Sequence, residues 1–386
     1  MEIRRSLQDL PSYPFGLVRK KITEVEQKTG KNVIRCYIGV PDTGLLQSMH
    51  ERYVKLAEDH DFKNYPIDRY GQGIEEVREA VAEWYNNKFP GSNISADNIL
   101  ITNWTKEILH NVARIVKQGT ALIPDPVYPA YVAAAILAGH DVKFIEASEK
   151  NGWLPSFDIN GNVSIFYFCD PNNPTGAVAD KCFYNTLNDL ISSSFNGIGV
   201  FDGAYVDLVW DGSTVYSPMQ FGNLSNTSVH IISLSKSYNT VADGIGIVIA
   251  QKDVLEPLLK LHECYSQGVP AHKQLLLREA LTNPEIQKEA RKYRQELRDR
   301  IQLFTKGLRK LGFEVNKPKA TPYLWIKTPW EDDKRFVFEL IERCGVAFMF
   351  GSAFGQAGAG YMRATVYLSE EKIKEALERL ESNIFW

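Results

Sequence analysis

Seven short runs of apolar, β-branched and aromatic residues alternate with stretches whose apolar positions recur every three or four residues. TALIPDP, DVKFIEA, VSIFYFCDP, GIGVFDGAY, SVHIISLSKS and IGIVIAQ, between about residues 120 and 251, read as strands, as does VIRCYIGV near the N-terminus. Most end in polar residues, Gly or Pro. Residues 15–29 and IEEVREAVAEWYNNKF (residues 74–89) carry helical periodicity. Strand–helix alternation of this kind predicts an α/β fold with a mostly parallel sheet covered by helices on both faces.

After about residue 280 the pattern changes. NPEIQKEARKYRQELRDRIQLFTKGLRKLGF predicts a long charged amphipathic helix, PYLWIKTP and GYMRATVYLS predict strands, and EEKIKEALERL predicts a closing helix. The expected organisation is a large domain over residues 45–275 and a smaller α+β domain built from residues 1–44 and 276–386.

In parallel sheets, ligands sit beyond the carboxyl ends of the strands. The polar clusters fall there: residues 170–176, 202–205 and 233–236 each follow a predicted strand. Three strand ends presenting polar groups at one sheet edge predict a single active site.

Composition narrows the class. Apolar residues make up 44% and charged residues 24%, ordinary for a globular enzyme, and the net charge of −3 offers no general field for nucleic acid or an anionic membrane. No apolar run has membrane-spanning length, and the N-terminus lacks a signal-peptide core. The five cysteines are widely spaced with no C-x-x-C pair, which argues against disulfides or a zinc site and for free thiols in the cytoplasm.

The candidate chemistry is carried by six segments. Lys236 in SLSKSYN would by itself be a solvated strand cap, and Asp202 in VFDGAY a turn-forming Asp-Gly. DPNNPTG (residues 170–176) is rich in turn formers. Tyr128 in DPVYPAY would alone be a core aromatic, and Arg363 in GYMRATV a solvated strand residue. ITNWTKE (residues 101–107) opens a helix, whose N-terminal N–H groups suit an anion.

Together, in this order and spacing, these segments resemble the dimeric aminotransferase superfamily of fold type I, across nearly the whole chain. The resemblance implies a homodimer that uses pyridoxal 5′-phosphate (PLP). Lys236 would form a Schiff base with PLP and shuttle a proton between substrate Cα and cofactor C4′, which requires burial to keep its amine partly neutral. Asp202 would pair with the pyridine nitrogen, Tyr205 and Asn173 with the 3′-oxygen, and Tyr128 would stack on the ring. Ser233 frames the lysine motif. Thr105 and Lys106 would hold the phosphate, with Tyr65, rather than Tyr70, reaching it from the partner subunit. Arg363 would clamp the substrate α-carboxylate, and Gly39 belongs to the loop that closes over substrate. Asp42, Asp68 and Asp243 are candidates for a cationic substrate side chain.

Two positions break the family pattern. Trp104 stands where a glycine is usual, and Gly244, eight residues after Lys236, stands where an arginine usually binds the phosphate. A charged hydrogen bond worth roughly 1.5–3 kcal/mol would be missing. The leading expectation is an aminotransferase acting on an α-amino acid. The alternative is a PLP-dependent lyase or cyclase, for example on a hydroxylated arginine, in which Lys236 recaptures the cofactor at every turnover. A non-catalytic PLP-binding protein is a third reading, opposed by the presence of Lys236, Asp202, Asn173 and Arg363.

Overall fold

The computed structural model describes residues 5–8, 10, 13–41, 44–58, 71–157, 162–240, 244–264, 266 and 268–383. A two-residue strand, β1 (Ile34–Arg35), precedes the central sheet. That sheet comprises β2 (Ile99–Asn103), β3 (Thr120–Asp125), β4 (Asp141–Glu146), β5 (Val163–Cys169), β6 (Ile198–Gly203), β7 (Ser228–Ile232) and β8 (Ile245–Ala250), in the order β2-β8-β7-β6-β5-β3-β4. All neighbours run parallel except β8, which is antiparallel to both β2 and β7.

Side-chain alternation explains why the inner strands are buried throughout, whereas the edge strand β4 is largely exposed. Phe166 and Phe168 of β5 pack with Tyr184, Leu187 and Ile191 of the helix Lys181–Ser194. Ile165 and Tyr167 belong to the main core with Ile108, Leu109 and Val112 of the helix Thr105–Ile115. Both faces are therefore covered, as a parallel sheet requires.

A second, antiparallel sheet holds β9 (Tyr323–Lys327), β11 (Met349–Phe350) and β12 (Tyr361–Thr365) in the order β11-β12-β9, while β10 (Val346–Ala347) pairs with β1. The helix Pro284–Lys310 starts with the Asn283 side chain accepting the Glu285 N–H. It buries Ile286, Ala290, Tyr293, Leu297, Ile301, Phe304 and Leu308, a spacing of three and four that lays one stripe against the core.

The elements read from the pattern are present, with two differences. The segment VIRCYIGV is a strand only at Ile34–Arg35; the Cys36 N–H already turns back to the Ile34 carbonyl. Conversely, β2 is a sheet strand that the pattern reading passed over. No helix among the described residues is long and apolar enough to cross a membrane. The five cysteines are free, and Cys36, Cys169 and Cys344 are buried.

Because Leu297 is fully buried in the long helix, Leu297→Ala should destabilise the protein by roughly 2–5 kcal/mol. A urea-denaturation midpoint that stays at the wild-type value would contradict this packing.

Candidate functional site

A cavity of about 640 Å³ opens at the carboxyl edge of the central sheet. Gly39, Thr105, Lys106, Tyr128, Asn173, Asp202, Tyr205, Ser233, Lys236 and Arg363 all line it. Ten of the eleven residues singled out in the sequence thus meet in one place. The eleventh, Tyr65, lies outside the described residues, as do Tyr70, Asp42, Asp68 and Asp243.

The topology produces this convergence. Cys169 of β5 lies opposite Asp202 of β6, and Gly203 opposite Ile232 of β7. The chain leaving β5 therefore carries Asn173 past Asp202, and the chain leaving β7 carries Ser233 and Lys236 beside it. Antiparallel β8 enters at the same edge, where Ile245 lies opposite Asn103 at the end of β2.

Asp202 is buried at this edge. Its Oδ2 accepts the Tyr131 hydroxyl at 2.7 Å and its Oδ1 accepts the Ala204 N–H at 3.1 Å. Burial raises its pKa, although Tyr131, Ala204 and the Lys236 charge pull the other way. A carboxylate held only by neutral donors lacks the cation that would make its burial favourable. Burial likewise lowers the Lys236 pKa, while the Arg363 charge lowers it further. Its Nζ donates to the Gly39 carbonyl at 2.6 Å, and the Tyr367 hydroxyl donates to its backbone carbonyl at 3.0 Å. A side chain at Gly39 would run into the Tyr323 hydroxyl, so only glycine lets this loop approach so closely.

The DPNNPTG loop is fixed from within. Asn172 Oδ1 accepts the Thr175 hydroxyl at 2.8 Å, and Asp170 accepts the Ala179 N–H and the Tyr184 hydroxyl, each at 3.0 Å. Burial pushes the Asp170 pKa up to about 7. These bonds leave Asn173 free to face the cavity. Its Nδ2 lies 3.4 Å from the Tyr205 hydroxyl, which in turn is 3.3 Å from the Tyr323 hydroxyl.

Arg363 is 2% exposed and donates to Asn173 Oδ1 at 2.6 Å and the Tyr37 carbonyl at 3.3 Å. The Tyr323 and Phe354 rings lie 4.0 Å and 4.6 Å from its guanidinium carbon. Its Nε has no hydrogen-bond partner among the described residues. A buried guanidinium that meets neutral oxygens and ring faces is fitted to take a carboxylate.

Thr105 begins the helix Thr105–Ile115, whose first N–H groups have no partner within the helix, and Thr105 and Lys106 line the cavity. Lys106 Nζ lies 5.9 Å from the centre of the Tyr128 ring. The pieces fit a phosphorylated pyridine aldehyde: a lysine amine, a carboxylate for a ring N–H, two donors for a ring oxygen and a helix N-terminus for a phosphate.

Tyr131 and Tyr323 were not singled out in the sequence. Tyr131 stacks on Tyr167 with ring centres 5.2 Å apart and aims its hydroxyl at Asp202. Its only local signal was its place three residues after Tyr128.

Comparison with known proteins agrees with this geometry. Residues 31–380 match the family of class I and II aminotransferases. LL-diaminopimelate aminotransferase of Halothermothrix orenii is 34% identical over 99% of each chain. The enzyme of the same name from Dehalococcoides mccartyi is 31% identical over 98% of each. The structure of aspartate aminotransferase from Thermotoga maritima superposes with a TM-score of 0.87 at 26% identity, covering 98% of this chain and 99% of that one. These relatives are aminotransferases, which favours transamination over the elimination or cyclisation left open by the sequence.

In the cofactor-free protein, the folded pKa of Asp202 lies above its unfolded value. The group then favours the fold while protonated, and that contribution is lost as pH rises through the folded pKa. Asp202→Asn should therefore raise the apoprotein's melting temperature at neutral pH and change it little at a pH below the usual carboxylate range. Equal shifts at both pH values would show that the buried charge is compensated.

Proposed function

The chain belongs to the class I and II aminotransferases, and from that premise we propose that Lys236, Asp202 and Arg363 are the working residues of a PLP-dependent aminotransferase acting on an α-amino acid. When bound, PLP supplies an aldehyde carbon for the amino group and a protonated ring that draws electrons from the bond broken at Cα. Asp202 would keep the ring nitrogen protonated, and its buried carboxylate, with no cation hydrogen-bonded to it among the described residues, is the observation that carries this reading. Asn173 and Tyr205 donate to the ring oxygen, and Tyr128 lies against the ring face. Ser233 bonds to the Ser235 hydroxyl at 3.0 Å and steadies the turn before the lysine.

Lys236 Nζ would hold the aldehyde carbon of bound PLP. Burial lowers its pKa, which favours the neutral amine that a base requires. Freed from the cofactor, the same amine would carry the proton taken from the substrate Cα. Arg363 exchanges its bond to Asn173 for the substrate α-carboxylate, and Gly39 lies in the loop over that carboxylate. Thr105, Lys106 and the helix N-terminus hold the phosphate.

The altered pattern at Gly244 belongs to this reading: the arginine usual at that position is replaced, and the phosphate relies on the helix and Lys106. We also propose a homodimer with a large domain of residues 45–275, the partner adding Tyr65, in the cytoplasm.

The names of the curated relatives make LL-diaminopimelate the first donor to assay. Arg19 and Arg35 line the same cavity; Arg35 is paired with Glu26 at 2.8 Å, whereas Arg19 has no ion pair among the described residues. A donor with a second carboxylate would suit Arg19.

Purified protein loaded with PLP and given single amino acids, with no keto acid, should release one keto acid per site and stop. Continued turnover without an acceptor would sink the proposal. Lys236→Ala should abolish both keto-acid release and the adduct that borohydride fixes to the protein. Arg363→Lys should lower kcat/KM by roughly one to two orders of magnitude, mostly through KM, by loss of a two-pronged charged bond. An unchanged KM would remove Arg363 from carboxylate binding.

A further inference from the structure

The two departures from the family pattern, at Trp104 and Gly244, meet in space. Trp104 is the residue before the helix Thr105–Ile115, with φ of 66°, a left-handed conformation unusual for a tryptophan. Gly244, at the entrance to β8, also has a positive φ, 42°. The Trp104 N–H donates to the Gly244 carbonyl at 2.6 Å. A Cβ built on Gly244 would be driven into the six-membered ring of the Trp104 indole. Trp104 lines the cavity beside Thr105 and Lys106, and its side chain is half exposed.

We infer that Trp104 and Gly244 form a matched pair in which the indole takes the space of any side chain at 244 and covers the phosphate end of the cofactor. The inference rests on the proposed placement of PLP in this cavity. The position from which a side chain could reach the phosphate is blocked by carbon and not merely empty. A ring face therefore shields that end of the cavity where a cation would otherwise bind it. Each substitution requires the other: an indole needs glycine opposite, and a side chain at 244 needs the indole gone. The backbone bond between the two residues keeps their main chains together, so the pairing of positions 104 and 244 is built into the fold.

The shared space makes the effects non-additive. Apoprotein is titrated with PLP, and the cofactor's absorbance gives the dissociation constant of wild type, Trp104→Gly, Gly244→Arg and the double variant. Gly244→Arg alone should weaken binding about tenfold, as overpacking does. Trp104→Gly alone should weaken it severalfold. The double variant should bind at least as tightly as wild type. The phosphorus resonance of its bound cofactor should also move less with pH than that of wild type, near the phosphate's second ionisation at about pH 6. The alanine pair tests the packing with a smaller change: Gly244→Ala should weaken binding, and adding Trp104→Ala should restore it. Backbone strain at 244 alone would persist in that double variant, so a lack of rescue overturns the matched pair. Losses that multiply in the arginine series overturn it too. Wild-type protein that takes up no PLP would overturn the proposed cofactor site and this inference with it, whereas additive losses with normal uptake would overturn this inference alone.

Discussion

A carboxylate buried at the end of β6, with a phenol and an amide as its only hydrogen-bond donors among the described residues, sets the terms for the rest of the site. Desolvating an ion costs several kcal/mol even after relaxation. The Tyr131 and Ala204 bonds return about 1.5–3 kcal/mol each at most. The remaining demand is for a positive charge, and among the described residues no lysine or arginine side chain hydrogen-bonds Asp202. Lys236 is near enough to lower the Asp202 pKa, yet its amine is turned to the Gly39 carbonyl. In the proposed reading a protonated pyridine nitrogen would meet that need. Part of the energy for holding the ring in its electron-withdrawing form would then be stored in the apoprotein as a buried carboxylate.

Arg363 shows the same logic with the opposite sign. Its guanidinium lies close to the Tyr323 and Phe354 rings and is hydrogen-bonded to neutral oxygens. Rings and carbonyls orient the charge without cancelling it. The Arg363–Asn173 bond links the substrate end of the cavity to the ring-oxygen end, because Asn173 also faces Tyr205. In the proposed reading a carboxylate that drew Arg363 away would free Asn173 Oδ1, and the amide could then serve the ring oxygen. That one side-chain amide would couple substrate binding to the cofactor contacts.

Much of this was readable in the sequence because both signals are local. Strands β3 and β5 to β8 are largely apolar runs because both faces of the sheet are buried there, whereas β4 at the sheet edge is mostly exposed, and the strand ends carry the polar motifs. What escaped depends on partners far along the chain. Strand β2 runs directly into the helix Thr105–Ile115, so its five residues merge with the helix start in any periodicity count. Tyr131 matters through Asp202, 71 residues away, and Tyr323 through Tyr205, 118 residues away. A tyrosine on a helix or strand carries no mark that its hydroxyl will find such a partner. The reverse error, a strand expected over VIRCYIGV, has a local cause. Its composition is β-like, but the chain turns at Cys36 so that Gly39 can present its carbonyl to Lys236.

The phosphate end extends this lesson from single residues to pairs. Judged one at a time, Trp104 is a bulky residue at positive φ and Gly244 is a position without a side chain; each looks like damage. In three dimensions the first fills the volume that the second vacates, and one backbone hydrogen bond ties them together. On the proposed placement of PLP, retention of the phosphate would fall to the helix N-terminus and Lys106, whose ammonium also sits near the ring faces of Tyr13 and Tyr128. Those contacts would have to hold the cofactor whenever it is not bonded to Lys236. The half-exposed Trp104 indole would cover part of that end and lower the local dielectric around them. In this proposal an aromatic cover stands in for a charged side chain, one strong bond being exchanged for several weaker ones beside a helix N-terminus.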